Sequence, residues 1–416
     1  MSSQTLPQEL IDNVIDHFHD DRPSLKACAL VCRAWLSSCR AHIFHSISLQ
    51  PPTVNLRSQI FGTTTDSWRL HKILQTSPEI AQYIRNLLIC EGIVGKEWIN
   101  GDRTLPLLLG KLRNITKFQL ERSSSMRIIW KTIPPGLRGA MISVLGSPSL
   151  LELKLVGLVF DRPAELLQIL QSCRILRVLR ADHLIFQDEQ SLDFSSVVQS
   201  DRPSAPLDIL VVGPRTSTAL IRCLLHPEST INAKAVRKLS LSISGNFPDV
   251  AQLLRSTSSV EELELILMND IDLQEYWALP SSDHIDLSHN PHLHTLEIKF
   301  DVIQRQDDPL PWLNAVLFTV RTPNALRYIN IVYSLYLPSP YMDRSVNTTI
   351  FTGWRDIDVT LTGMDFVHLE KVKLHFALEN PIGFGIAPRF LKEVDLKSPA
   401  LLAAGLLEIG AFDTSE

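Results

Sequence analysis

Val260-Glu261-Glu262-Leu263-Glu264-Leu265 decides how this chain reads. Its apolar residues stand at i, i+3 and i+5, and the last two alternate with glutamates, which is the two-residue period of a strand with one buried face. The spacing recurs outward in both directions. Upstream it appears at Phe44-Ile47-Leu49, Ile84-Leu87-Ile89, Ile115-Phe118-Leu120, Leu150-Leu153-Leu155, Leu176-Leu179-Ala181, Leu207-Leu210-Val212 and Val236-Leu239-Leu241. Downstream it appears at Leu293-Leu296-Ile298, Leu326-Ile329-Ile331, Leu369-Val372-Leu374 and Leu391-Val394-Leu396. In a chain that is 45% apolar, three matching positions arise often by chance, so the count alone decides little. The weight rests on the intervals of 22 to 43 residues and on polar interleaving, as in Lys371-Val372-Lys373-Leu374. Turn signals such as Ser147-Pro148-Ser149, Asn290-Pro291-His292 and Thr322-Pro323-Asn324 precede several units.

Helical spacing fills the intervals. Leu166, Leu167 and Leu170 share one face within Pro163–Cys173; Val250, Leu253 and Leu254 do so within Asp249–Ser256. Trp312–Val320 is similar, and Trp354, Ile357 and Leu361 stand at i, i+3 and i+7. A short strand followed by a helix, repeated, resembles the leucine-rich-repeat solenoid, whose units stack on one continuous core. The resemblance implies an α/β fold of irregular horseshoe type. The asparagine which that family places after the last leucine is absent, and the unit lengths vary. A compact α/β domain with the same alternation is the alternative.

The first fifty residues follow a different period. Thr5 and Gln8 have capping-box spacing, and Pro7 is expected in the first helical turn. Leu10, Ile11, Val14, Ile15 and Phe18 form a broad apolar face, which Asp20-Asp21-Arg22-Pro23 interrupts. Ser24 is the expected cap of a second helix carrying Leu25, Cys28, Ala29 and Val31; Cys32, Trp35, Leu36 and Cys39 lie on a third, ending near Ala41-His42. These short helices carry more apolar surface than fifty residues bury among themselves, so a protein partner is expected.

Leu6-Pro7-x-Glu9-Leu10, the branched Val14 and Ile15, the block Leu30-Val31-Cys32-Arg33-Ala34-Trp35 and the closing Ile43-Phe44-His45-Ser46-Ile47 together resemble the F-box. That family docks substrate receptors onto the Skp adaptor of cullin–RING ubiquitin ligases. The resemblance covers about residues 5–49. It implies that Leu6, Pro7, Leu10, Ile11, Val14, Leu25, Ala29, Val31 and Trp35 supply the adaptor contact or its scaffold. It also implies an F-box module over residues 1–50 and a degenerate repeat domain that holds the target over 51–416. The latter part is similar to a group of F-box proteins with irregular leucine-rich regions, in Trp354-Arg355-Asp356-Ile357-Asp358 ahead of a late strand and in the tail Leu401–Leu407.

Composition narrows the function. A net charge of -5, with both signs interspersed, argues against a nucleic-acid partner. No apolar run reaches membrane-spanning length, and no basic-plus-apolar leader opens the chain, so neither membrane nor secretion is expected. The six cysteines form no CxxC pair and read as reduced core thiols of a cytoplasmic or nuclear protein.

If the strands line one sheet, the residues between the core positions project from its other face. That set is Lys117, Gln119, Glu152, Lys154, Arg180, Lys238, Glu262, Glu264, Glu297, Tyr328, Asn330, Lys371, Lys373, Glu393 and Asp395, with Val178, Ile209 and Val211 as an apolar middle. Glu262, Glu264, Glu297, Tyr328, Lys371 and Lys373 are the candidate target contacts. No P-loop, GxSxG or GxGxxG occurs, and neither a catalytic residue nor a cofactor is expected. Asp283, His284, Asp286, His289, His292 and His294 invite a zinc reading without HExxH or Cys/His spacing behind it. The expected role is therefore a non-catalytic substrate receptor. An F-box scaffold outside any ligase and, more remotely, a metal-dependent enzyme on the histidines are its rivals.

Overall fold

The computed structural model describes residues 7–51, 65–92, 98–122, 127–188, 205–216, 218–226, 229, 231–268, 271–301, 308–322, 324–335, 353–378 and 387–413. The chain is α/β and divides into two compact units, Met1–Ala205 and Pro206–Glu416. The expected boundary near residue 50 falls inside the first unit.

That unit opens with three helices, α1 (Gln8–Asp16), α2 (Arg22–Cys28) and α3 (Arg33–His45). Their first turns differ from expectation. Pro7, with φ −52° and ψ 143°, stands just before α1 rather than inside it, so Gln8 is the first helical residue. Thr5 lies outside the described residues. Asp21, not Ser24, caps α2: its carboxylate accepts from the Ser24 backbone N–H at 3.2 Å and from the Ser24 hydroxyl. An ionised carboxylate is the stronger acceptor at a helix N-terminus, which moves the start of α2 two residues upstream of Ser24.

Strands β1 (Ser46–Leu49), β2 (Asn86–Glu91), β3 (Lys117–Arg122), β4 (Glu152–Val156) and β5 (Val178–Asp182) then pair in chain order, all parallel. In the second unit, β6 (Ile209–Val212), β7 (Lys238–Ile243), β8 (Glu262–Leu267), β9 (Thr295–Asp301), β10 (Tyr328–Leu335), β11 (Lys371–Leu378) and β12 (Leu407–Asp413) do the same. Register never slips: Lys238, Glu262, Thr295, Tyr328 and Lys371 form one row across successive strands. The i+3 and i+5 apolar positions of β2 to β11 are all buried, from Leu87 and Ile89 to Val372 and Leu374. A slip of one residue would carry each of these sets to the solvent face, which is why the register is fixed.

A backbone device marks eight of the strand entries. The carbonyl of Arg85 accepts two consecutive N–H groups from the next unit, those of Thr116 and Lys117, at 2.8 and 3.1 Å. Thr116, Leu151, Asp208, Arg237, Glu261, His294 and Arg327 do the same for the units that follow them. Turn residues add side-chain ties: the Ser147 hydroxyl donates to the Arg113 carbonyl at 2.8 Å. The Asn290 amide donates to the Leu254 and Thr257 carbonyls at 3.2 and 2.8 Å, closing the end of the helix Phe247–Ser256. The chain-breaking residues read as turn signals thus also join neighbouring units.

The expected helices lie between the strands at Pro163–Ser172, Phe247–Ser256, Leu310–Leu317 and Trp354–Leu361, with Leu166, Leu167, Leu170, Val250, Leu253, Leu254, Ile357 and Leu361 buried. One expected strand is absent. Leu391, Val394 and Leu396 fall on the helix Ala387–Lys397, where Val394 is fully buried and Leu396 is 68% exposed. An i, i+3 pair fits a helical turn as well as the repeat motif does. Glu393 and Asp395 therefore leave the strand-face set. The final strand is β12 instead, entered through Gly405 at φ +67°. No described helix is long and apolar enough to cross a membrane.

Candidate functional surfaces

The first surface belongs to α1–α3. Ile11, Ile15, Leu25 and Cys39 form the buried core, with Phe18, Cys28, Ala29, Trp35 and Ile43 packed at its edge. Polar bonds lock the helices together. Asp12 accepts from the Ser38 hydroxyl and, at 2.8 Å, from the Gln8 amide, and these bonds hold its carboxyl below the usual range. The Gln8 amide also reaches the Ala34 carbonyl at 3.1 Å, and His42 Nε2 meets Asp16 at 2.7 Å. Arg22 donates to the Ile43 and Ser46 carbonyls at 3.2 and 3.0 Å, tying α2 to the start of β1.

Several large apolar side chains remain outside. Leu10 and Val14 are 50% and 48% exposed, Val31 is 63% exposed and Leu30 is 87% exposed. A groove of ≈ 660 Å³ opens beside them, walled by Leu10, Ile11, Val14, Phe18 and Trp35, with Asn13 and His17 at its rim. The nine residues singled out in the sequence therefore separate. Pro7, Leu10, Val14 and Val31 are exposed, Ala29 and Trp35 are half-buried, and Ile11 and Leu25 are core. Leu6 lies outside the described residues. Leu30 and Phe18 were not on that list. Leu30 continues the apolar run before Trp35, but sequence cannot tell that it follows α2 in a tight turn facing water.

The second surface is the face of the strands that alternates with the core. Its charges are largely neutralised by neighbours in register. Glu152 takes Lys117 at 3.0 Å and Arg180 at 3.3 Å, and Glu121 takes Lys154 at 2.8 Å. In the second unit Glu262 takes Lys238 at 2.7 Å, and Lys299 bridges Glu264 and Glu297 at 2.5 and 3.0 Å. Burial pushes the Glu264 carboxyl up, but the hydrogen bonds from Lys299 and Ser240 outweigh it, so its pKa lies below the usual range. Burial likewise lowers the Lys299 ammonium, and Glu264 and Glu297 more than restore it. Tyr328 donates to Glu370 at 2.6 Å and Lys371 pairs with Glu408. Lys373 stands apart: among the described residues it makes no ion pair or hydrogen bond. All six candidate target contacts, Glu262, Glu264, Glu297, Tyr328, Lys371 and Lys373, lie on this face, as do the half-buried Val178, Ile209 and Val211. Sequence did not point to a cleft of ≈ 290 Å³ at its upstream end, lined by Ser46, Ser48, Asn86, Leu88, Lys117 and Gln119.

The histidines disperse. His284 stacks on Tyr276 with ring centroids 4.5 Å apart and meets the Tyr276 carbonyl at 3.1 Å. His289 faces Asp286 at 3.7 Å, and His294 lies between Thr295 at 3.0 Å and Glu261 at 3.8 Å. Among the described residues no three His, Cys, Asp or Glu side chains are grouped to hold a metal ion. No protein-family model matches the chain, and no curated protein matches it.

Proposed function

We propose that this chain is the substrate-recognition subunit of a Skp–cullin–F-box ubiquitin ligase in the cytoplasm or nucleus. Helices α1–α3 act as the F-box and the strands act as an irregular leucine-rich-repeat solenoid that presents a target. The observation that carries the reading is the apolar groove bounded by Leu10, Val14 and Trp35, on a module that shields only Ile11, Ile15, Leu25 and Cys39 completely. Exposed apolar area of this kind, rimmed by polar groups, is what a protein interface covers. Constant register and repeated strand-entry carbonyls support the solenoid half of the reading. The chain would contribute proximity rather than chemistry, holding target lysines near the ubiquitin-conjugating enzyme.

Affinity purification of the full chain is the test. Recovery of a Skp adaptor together with a cullin is expected. Recovery of the adaptor alone would favour an F-box scaffold outside the ligase, and recovery of neither would overturn the reading. Leu10→Asp with Val14→Asp is the matching loss-of-binding pair. Ile11 is a poor choice because its side chain is core.

A further inference from the structure

We propose that Lys373, with Asn330 beside it, binds a carboxylate side chain of the target, so that the recognised segment is acidic. The inference rests on the target-presenting role proposed above. Among the described residues, the alternating faces of the strands carry seven lysine or arginine side chains: Lys117, Lys154 and Arg180 in the first unit, and Lys238, Lys299, Lys371 and Lys373 in the second. Six have a carboxylate within 4 Å. Lys373 does not, although it is half-buried between strands.

Its surroundings explain why. In register, Lys373 lies between Asn330 on β10 and Glu408 on β12. Glu408 faces two lysines and bonds to one: it accepts from Lys371, and Lys373 only adds to the field that holds its carboxyl below the usual range. Glu297, next along the row beyond Asn330, is taken by Lys299. Asn330 makes no hydrogen bond among the described residues, so an ammonium and a carboxamide stand side by side with their donors unused. Lys373 shares the field of Glu408 with Lys371 but makes no direct contact to a carboxylate, whereas each of the other six cations does, so its donors are the ones left for a ligand. One spare positive charge matches one carboxylate. A phosphomonoester carries about −1.5 to −2 near neutral pH and calls for a second free cation, which the row does not offer.

Degenerate peptide libraries with one fixed position, glutamate, glutamine or phosphoserine, test this on the full-length protein. The glutamate library is expected to be retained about threefold to fivefold more than the glutamine library, the range of one partly screened ion pair. Lys373→Gln should abolish that preference, and Lys238→Gln, whose partner Glu262 lies outside the row of Lys373, should leave it. Lys371→Gln should also abolish it, because Glu408 is then free to take Lys373, and adding Glu408→Gln to Lys371→Gln should restore it. A merely structural lysine would not give that restoration. Equal retention of the glutamate and glutamine libraries, retention of no library, or an unchanged preference in Lys373→Gln overturns the proposal. Stronger retention of phosphoserine than of glutamate overturns the carboxylate assignment. If the glutamate preference stands in a protein that fails to bind the Skp adaptor, the ligase reading fails and this site survives.

Discussion

Helices α1–α3 and strands β7–β9 treat the same side chains in opposite ways. On the helical module, Leu10, Val14, Leu30 and Val31 face water while Gln8, Asp12, Asp16 and Arg22 are spent on ties between its segments. On the strands, Leu239, Leu263 and Leu296 are sealed and the charges lie outside, matched to one another across the register. The difference is one of completeness. Among the described residues, each lysine or arginine on the alternating face of the strands contacts a carboxylate except Lys373 on β11. The helices tie several of their polar groups to one another and leave large apolar side chains exposed. The proposed adaptor contact is therefore sought on the helices, and the proposed target contact on the strands is expected to be selective rather than strongly adhesive.

Leucine truncation breaks the comparison most sharply. Leu296→Ala should destabilise the second unit by about 2–5 kcal/mol, the range for emptying a closed core site. Hydrogen exchange at β8–β10 would show it, and a loss below about 1 kcal/mol would mean that the strand core is loosely packed. Asp358→Ala comes next. This carboxylate is buried and accepts from the Ala400 and Leu401 N–H groups at 3.0 and 2.8 Å, where it caps the helix Pro399–Ala403 ahead of β12. A loss of about 1–3 kcal/mol, seen as faster exchange in residues 399–410, is expected.

The ionic side gives a smaller effect. The Glu264 pKa is lower folded than unfolded, so its stabilising contribution is present above the ordinary carboxylate range and is lost as pH falls through the folded value. Glu264→Gln should flatten the acid limb of the stability profile by about 1 kcal/mol or less, because the pair is partly solvated. A steeper acid limb in the variant would reverse the sign of this argument. Smallest of all, Leu10→Ala should change the thermal midpoint of the chain by no more than the equivalent of about 0.5 kcal/mol, since its side chain is half in water. A core-sized loss there would mean that the helix face is structural.

Much of this contrast was legible in sequence, for a physical reason. The two-residue period of Leu263 and Leu265 and the helical period of Leu10, Ile11, Val14 and Ile15 are direct consequences of backbone geometry. Eleven of the twelve ladder strands begin at or next to a motif read from the chain. Leu391, Val394 and Leu396 misled because three positions cannot separate a period of 2 from one of 3.6. Strand β12 escaped although Leu407 and Ile409, in register with Val372 and Leu374, keep the two-residue period, because the small Ala404 is a weak first position for the motif. Which of the F-box-like residues face outward was not legible. Leu10 and Ile11 are adjacent in sequence, and only the placement of α3 by the Asp12–Ser38 and Gln8–Ala34 bonds decides that one is exposed and the other core. The isolation of Lys373 was equally hidden, since it depends on Glu408, a residue of the strand that the motif missed.

Titration of a purified Skp adaptor into the full-length protein tests the central claim most directly. The wild type is expected to bind, and Leu10→Asp with Val14→Asp is expected to weaken binding by at least about a hundredfold while the circular dichroism spectrum and melting profile stay unchanged, as for removal of an interface hot spot. An adaptor that does not bind the wild type, or that binds both proteins equally, would contradict the account.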